Sequence, residues 1–357
     1  MQSSEHPAKR ALSQRALNRA LLDRQLLLRR EALSIPEGLT RTAGLQAQYA
    51  PAMYVGLWSR LHGFERAALT RALEDRSVVQ GTLMRGTIHV VAAADYWPFA
   101  LAIRHPRRRW WLSSVRGPLA PHMAAAARQL RRHIGDQAMH RTEIEALIGK
   151  HRFSGVGLWV DLVRAPPSGT WDHPRASLYA AADAWLPQPR QTPAEALEHL
   201  VTSYLRAFGP AAPADIASWA GLRTADLGPT LRHMDFAEYT DAEGDELIDV
   251  DDGALPDPDT PAPIRFLPVW DATLLQHARR AGIVAEEHRE QVFTTKHPQG
   301  TATFLVDGAV AGAWHHEEGR IVLEPFIELD KPTRRALDEE AQALAAFYAE
   351  APASTPT

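Results

Sequence analysis

The chain has 357 residues, 45% of them apolar, and a formal net charge of -4, which allows one large domain or a few small ones around a sizeable core. It contains no cysteine, so a disulfide framework, a thiolate metal site and a cysteine nucleophile are all excluded. No apolar run approaches the ~18–20 residues that span a bilayer, and the polar, basic N-terminus has no secretory core, so a cytoplasmic protein without a membrane partner is expected.

The net charge hides a segregation. Residues 101–135 carry eight arginines (Arg104, Arg107, Arg108, Arg109, Arg116, Arg128, Arg131, Arg132) and no acid, whereas residues 235–259 carry eleven acids and no lysine or arginine. The basic stretch suits phosphate neutralisation or, equally, a solvated face. The acidic one reads as a loop or wing tip without chemistry.

In chain order, Ser13 is a plausible N-cap for a helix reaching Arg30, with Leu17, Leu21, Leu22, Leu26 and Leu28 near helical spacing. The segment GLQAQYAPAM follows and opens a second apolar helix that ends near Gly63. Residues Glu65–Glu74 are amphipathic, and VVQGTLMRGTIHVVAAADY alternates like a strand pair. Three helices and a two-stranded wing are the order of a winged helix. The order recurs: a helix at Met123–His133, HRTEIEALIGK capped by Thr142, and an aliphatic stretch leading to LVRAPPSGTW. It recurs again as ALEHLVTSYLRAFGP, APADIASWAGL and a helix at Arg223–Met234, before the acidic wing and IRFLPVWDATLLQ. A helix from Pro332 to Glu350 closes the chain. The expected fold is α+β, mainly α, in three units at 1–100, 101–190 and 191–357.

Gln46 and Gln48 are separated by one residue and precede Pro51. Residues i and i+2 share a side only in an extended segment, and proline is welcome only in the first turn of a helix. Both amides therefore sit in an extended lead-in, facing the same way. As isolated residues they read as caps or turn partners. Other candidates are Arg85, beside Gly86 in the first wing, as a phosphate contact or a surface ion pair. Arg107, Arg108 and Arg109, followed by Trp110 and Trp111, form a phosphate clamp or a helix face with its aromatics inward. Glu318-Gly319 signals a hairpin turn flanked by His315, His316 and Arg320. Adjacent histidines on a strand point to opposite faces, which disfavours zinc there. Asp271 reads as an N-cap before a site residue. Ser168, Asp172 and His173 are too close in sequence to argue for a triad. No phosphate-binding glycine loop and no nucleophile elbow occur.

LQAQYAPAMYVGLWSRL, GTLMRGTIHVVAAADYWPF, VRAPPSGTW, YLRAFGPAAPADIASWAGL and TATFLVDGAVAGAW occur in this order. The series resembles the AlkZ/YcaQ-like winged-helix DNA glycosylase family over nearly the whole chain, from Leu12 to Phe347. The resemblance implies three tandem winged helices in a C-shape around double-stranded DNA, acting as a monomer without a cofactor. It implies removal of N7-alkylated purines, in some members from interstrand crosslinks or bulky natural-product adducts. The family signature is Gln, an apolar residue, then Gln or Asp; Gln46-Ala47-Gln48 is similar to the AlkZ-like branch and makes the two glutamines the catalytic candidates. The resemblance also implies that the hairpin with His315, His316 and Arg320 meets DNA.

An N7-alkylated guanine is cationic and departs as a neutral base, so it needs little acid catalysis. What remains is to place a water under C1′ and stabilise an oxocarbenium-like sugar, which an uncharged carboxamide can do. Gln48 is expected to position the water, with Gln46 holding the sugar, the phosphate or Gln48 itself. The four lysines (Lys9, Lys150, Lys296, Lys331) lie far from this stretch in sequence, which speaks against a Schiff-base lyase. The competing reading is a non-catalytic winged-helix transcriptional regulator.

Overall fold

A short strand β1 (Arg10–Ala11) leads to Ser13, whose hydroxyl accepts from the Ala16 N–H at 3.2 Å and starts α1 (Gln14–Arg24). The computed structural model describes residues 9–114, 120–175, 177–187, 190–275, 282–293 and 300–350. Arg116 and Lys296 lie outside the described residues. The first helix is shorter than its leucine spacing predicts. Leu26 takes a φ of 57°, and the N–H groups of Leu27 and Leu28 both turn back to the Leu22 carbonyl. Leu26 and Leu27 are thus buried, and Leu28 half-buried, by a helix-ending turn, which a helical pattern in sequence does not distinguish from another helical turn.

One order of elements then occurs three times. The first is α2 (Ile35–Arg41), β2 (Leu45–Gln46), α3 (Ala50–Trp58), α4 (Arg66–Glu74) and the hairpin β3 (Val78–Thr82) and β4 (Ile88–Ala92). A long helix α5 (Ala93–Ser114) runs on to the second: α6 (Ala120–Ile134), β5 (Met139–His140), α7 (Arg141–Ile148), α8 (Lys150–Val156), β6 (Leu162–Arg164) and β7 (Leu178–Ala181), followed by the single turn α9 (Ala182–Trp185). The third is α10 (Pro193–Phe208), an isolated bridge at Ala211, α11 (Pro213–Ala220), α12 (Thr224–Leu231), β8 (Ala237–Thr240) and β9 (Glu246–Asp249). In each, a short extended piece between the first two helices pairs with the last strand: β2 with β4, β5 with β7, Ala211 with Ile248. The remaining elements are β10 (Arg265–Leu267), α13 (Arg289–Val292), β11 (Thr303–Val306), β12 (Ala309–Glu317), β13 (Arg320–Pro325) and α14 (Lys331–Tyr348). The fold is α+β and mainly helical.

Local chemistry explains the boundaries. Thr192 and Glu195 close a capping box ahead of Pro193, and Asp330 caps α14 by accepting from Thr333 at 2.8 Å. The cap of α7 is His140 rather than Thr142: its Nδ1 accepts from the Thr142 N–H at 3.3 Å, and Glu143 completes the box. Glu318 and Gly319 both have positive φ, 47° and 79°, so β12 and β13 are joined by the two-residue turn their sequence announced.

Three sheets result. The largest, ordered β2-β4-β3-β6-β7-β5, fuses the first two hairpins through the single pair Gly81↔Val163. A second is the antiparallel meander β10-β11-β12-β13, and a third joins β1 in parallel to the β8–β9 hairpin. The acidic stretch is this hairpin, and Lys9 pairs with its Glu238 and Glu246 at 3.2 and 2.7 Å. Two apolar cores flank the large sheet at its β2 end. Val79, Val91 and Tyr96 join α5, α10 and α11 on one side; Leu45, Val90 and Tyr54 join the meander and α14 on the other. Among the described residues, no helix is long and apolar enough to cross a membrane.

Candidate active site

Gly44, at a φ of 79°, turns the chain into β2; a Cβ there would meet the Val90 carbonyl oxygen at 2.9 Å. β2 can therefore press onto β4, with Gln46 directly opposite His89 and the Ala47 N–H donating to the Ile88 carbonyl at 2.7 Å. Tyr49 is still extended and α3 starts at Ala50, which leaves Pro51 in its first turn. Gln46 thus lies on the extended strand and Gln48 in the bend that leads into α3; with Gln46 buried and Gln48 exposed, the two do not share one extended face as expected, because the chain bends before the helix.

The β3–β4 hairpin holds both amides. Gln46 is buried, and its Oε1 accepts from Arg85 Nη2 at 3.0 Å; Gln48 is exposed, and its Oε1 accepts from the Ile88 N–H at 3.2 Å. A guanidinium and a backbone N–H only donate, so each carboxamide must turn its oxygen toward the hairpin. Arg85 does not reach outward: its Nη1 donates to the Trp219 carbonyl at 3.0 Å.

Two groups that the sequence did not flag complete the surroundings. His89 is enclosed, and burial, reinforced by the charge of Arg85, lowers its pKa to about 3. The imidazole opposite Gln46 is therefore neutral at physiological pH; its Nδ1–H donates to the Thr87 carbonyl at 3.1 Å, and it is not a cationic acid for a departing base. Arg164, on β6, reaches the Ala47 carbonyl at 3.4 Å and Gln80 Oε1 at 3.5 Å, while its Nε has no partner among the described residues. Burial lowers its pKa from the ordinary guanidinium value. Its only signal in the sequence was membership of the LVRAPPSGTW string.

The arginine run separates into three roles on α5. Arg108 donates to the Leu158 carbonyl and lies over Trp159, and Arg109 pairs with Asp226 at 2.7 Å. Arg107 packs over the exposed Trp110 ring and against the hairpin turn, where a Cβ on Gly86 would fall 2.0 Å from its Nη2. Its pKa is lowered by burial, and its Nε has no partner among the described residues. Trp111 turns inward against Gly155 and Trp159. The run is thus part packing face, part exposed ion pair (Arg109) and part half-buried cation (Arg107).

A groove of about 830 Å³ lies between the start of α3 and the β12–β13 hairpin, lined among others by Tyr49, Trp314, His315, His316, Phe326 and Tyr348. The hairpin therefore stands beside the residue that follows Gln48. Its two histidines diverge: His316 stacks on Tyr348 with centroids 4.2 Å apart, while His315 faces Glu324 and Glu317. Arg320 is exposed at the hairpin tip. Asp271 is a cap, accepting from the Thr273 N–H at 2.9 Å, and is also gripped by both Nη atoms of Arg60 at 2.8 and 2.9 Å. Ser168 belongs to a turn, accepting from the Ser177 N–H at 2.6 Å and donating to the Arg175 carbonyl at 3.0 Å.

A family model described as DNA glycosylase AlkZ-like matches residues 39–347, a span that takes in β2, both hairpins and α14. The chain belongs to the AlkZ-like DNA glycosylase family. This AlkZ-like protein is accordingly an enzyme that hydrolyses N-glycosyl bonds in DNA, which decides against the non-catalytic regulator. It is 26% identical over 359 residues to an interstrand DNA cross-link repair glycosylase of Streptomyces sahachiroi, covering 90% of this chain and 92% of that one. Its fold is that of the Streptomyces sahachiroi DNA glycosylase AlkZ, with a TM-score of 0.80 at 21% identity over 94% of this chain and 96% of the other.

Proposed function

We propose that this protein is a monofunctional glycosylase that uses water to release cationic N7-alkylguanine from duplex DNA. The observation that carries the reading is the pair of oriented, uncharged amides beside a histidine that stays neutral. Such a site can place a water but has no acid ready for a poor leaving group. Gln48, the exposed member of the pair, holds the nucleophilic water; Gln46 presents its NH₂ to the sugar or a flanking phosphate. The relative's name concerns interstrand crosslinks, and the groove between Tyr49 and the hairpin offers room for a bulky N7 substituent. Bulky natural-product adducts and crosslinks are therefore the substrates we assign.

The thrice-repeated element order, with its short strand paired to the last strand of each hairpin, supports three tandem winged helices acting as a monomer around the duplex. Arg107, Arg320, His315 and His316 supply the DNA contacts in this reading. Arg108 and Arg109 hold the surfaces that carry them, because their guanidinium groups are engaged within the protein.

The test is gel-resolved base release from duplexes carrying N7-methylguanine, an N7-linked crosslink or uracil. Wild type is expected to act on the first two and spare uracil. Gln48→Ala is expected to lose base release by at least about 10²-fold while still binding lesion DNA. Equal activity on uracil and N7-methylguanine overturns the proposal.

A further inference from the structure

Arg85 was a surface candidate by sequence, yet it spans two acceptors inside the protein. Nη2 reaches the amide oxygen of Gln46 and Nη1 reaches the carbonyl of Trp219, each at 3.0 Å. The second acceptor is one of the last carbonyls of α11, which has no partner within its own helix and carries the negative end of the helix dipole. That carbonyl is rigidly placed: the Trp219 ring is buried among Phe99, Tyr204 and Phe208 with centroids 5.4–6.0 Å away.

The backbones fit just as closely. Arg85 holds a φ of 54° in the hairpin turn, and a Cβ on Gly221, which caps α11 at a φ of 72°, would come within 2.8 Å of the Arg85 Cα. Turn and helix end are thus docked backbone to backbone, with the guanidinium as the link onward to β2.

We propose that Arg85 is a positioning residue for base release. Its two-pronged guanidinium fixes the Gln46 amide, oxygen inward and NH₂ toward substrate, and takes its own alignment from the C-terminus of α11. This rests on the functional reading above and deepens it: Gln46 acts as a donor, so water placement falls to Gln48. Lysine cannot do the same, because one ammonium does not reproduce a planar fork across two fixed acceptors.

Single-turnover base release from an N7-methylguanine duplex, with the Kd for the same duplex, is measured for wild type, Arg85→Met, Arg85→Lys, Gln46→Ala and the Gln46→Ala/Arg85→Met double variant. Arg85→Met is expected to slow release by about 10–100-fold, with Arg85→Lys intermediate and Kd changed by less than about twofold. The double variant is expected to be no slower than Gln46→Ala alone, because both changes remove one unit. Multiplying losses overturn the proposal, as does a weakened Kd with an intact rate, the signature of a plain phosphate contact. If Arg85→Met does not fold, Arg85→Lys is carried through the same cycle. The side-chain amide signal of Gln46 in ¹⁵N-glutamine-labelled protein gives a substrate-free readout, expected to shift in Arg85→Lys. Should wild type release no base from any alkylated duplex, the functional reading falls, and an unshifted Gln46 signal would separately overturn this one.

Discussion

His89 illustrates how one residue sets the chemistry around it. Its ring is enclosed beside Arg85, and its pKa falls to about 3, so the charged form is excluded by lost hydration first and by the neighbouring cation second. The unfolded chain takes up this proton near the ordinary histidine value of about 6.5. Between that value and about 3 the unfolded state binds more protons than the folded one, so stability falls as pH falls through this window. The slope from this group approaches about 1.4 kcal/mol per pH unit. Denaturant unfolding of wild type and His89→Leu between pH 7 and 5, above most carboxylates, is expected to show a shallower pH dependence in the variant. Parallel profiles would count against a buried neutral imidazole.

At the scale of elements, the groove wall is tied down by a fully buried charge pair. Arg60, just beyond α3, grips Asp271, which caps the turn following β10 and the Pro268–Val269 wall of the groove. Burial alone raises the Asp271 carboxyl, but Arg60 and the Thr273 donors hold it below the usual carboxylate range. This stability is present above the unfolded pKa of about 3.9 and is lost as pH drops through the lower folded value. Removing one partner strands the other in the core. Arg60→Met is expected to cost about 3–5 kcal/mol, with much of it recovered in Arg60→Met/Asp271→Leu. Thermal and denaturant unfolding of both variants check this; equal losses would mean that the pair itself, not the stranded charge, carries the energy. The sequence had already offered Asp271 as a cap. The Arg60 partnership was not legible, because a contact across 211 residues leaves no local pattern.

Across the whole molecule, segregated charge is spent unevenly. The acidic stretch folds as a hairpin that captures Lys9, and Arg104 and Arg109 are consumed by Asp161 and Asp226. Arg107 beside the hairpin turn and Arg320 at the tip of β12–β13 have no carboxylate partner among the described residues, which makes them the cations we assign to phosphate. Each contacted phosphate releases counterions, so Arg107→Ala and Arg320→Ala are each expected to flatten the salt dependence of duplex binding by about one unit of log–log slope. Titrations at several salt concentrations, with Arg109→Ala as the internally paired control, decide this. An unchanged slope in both variants would remove them from the interface.

The Ser13 and Asp271 caps, the Glu318-Gly319 turn, the wing strands and the segment with Gln46 and Gln48 were legible in the sequence. Each depends on neighbours within a few residues, where backbone sterics and local hydrogen bonds dominate. The sequence also carried the family resemblance, through strings spread along the chain. Tertiary structure alone decided that Arg85 turns inward, that Arg108 and Arg109 are occupied, and that Arg164 and His89 flank the glutamines. It also ended α1 at Arg24 and gave the cap of α7 to His140. A charged side chain on a turn has the same letter whether it meets solvent, a phosphate or a buried amide, and only the packing of distant elements supplies the acceptors that choose among them.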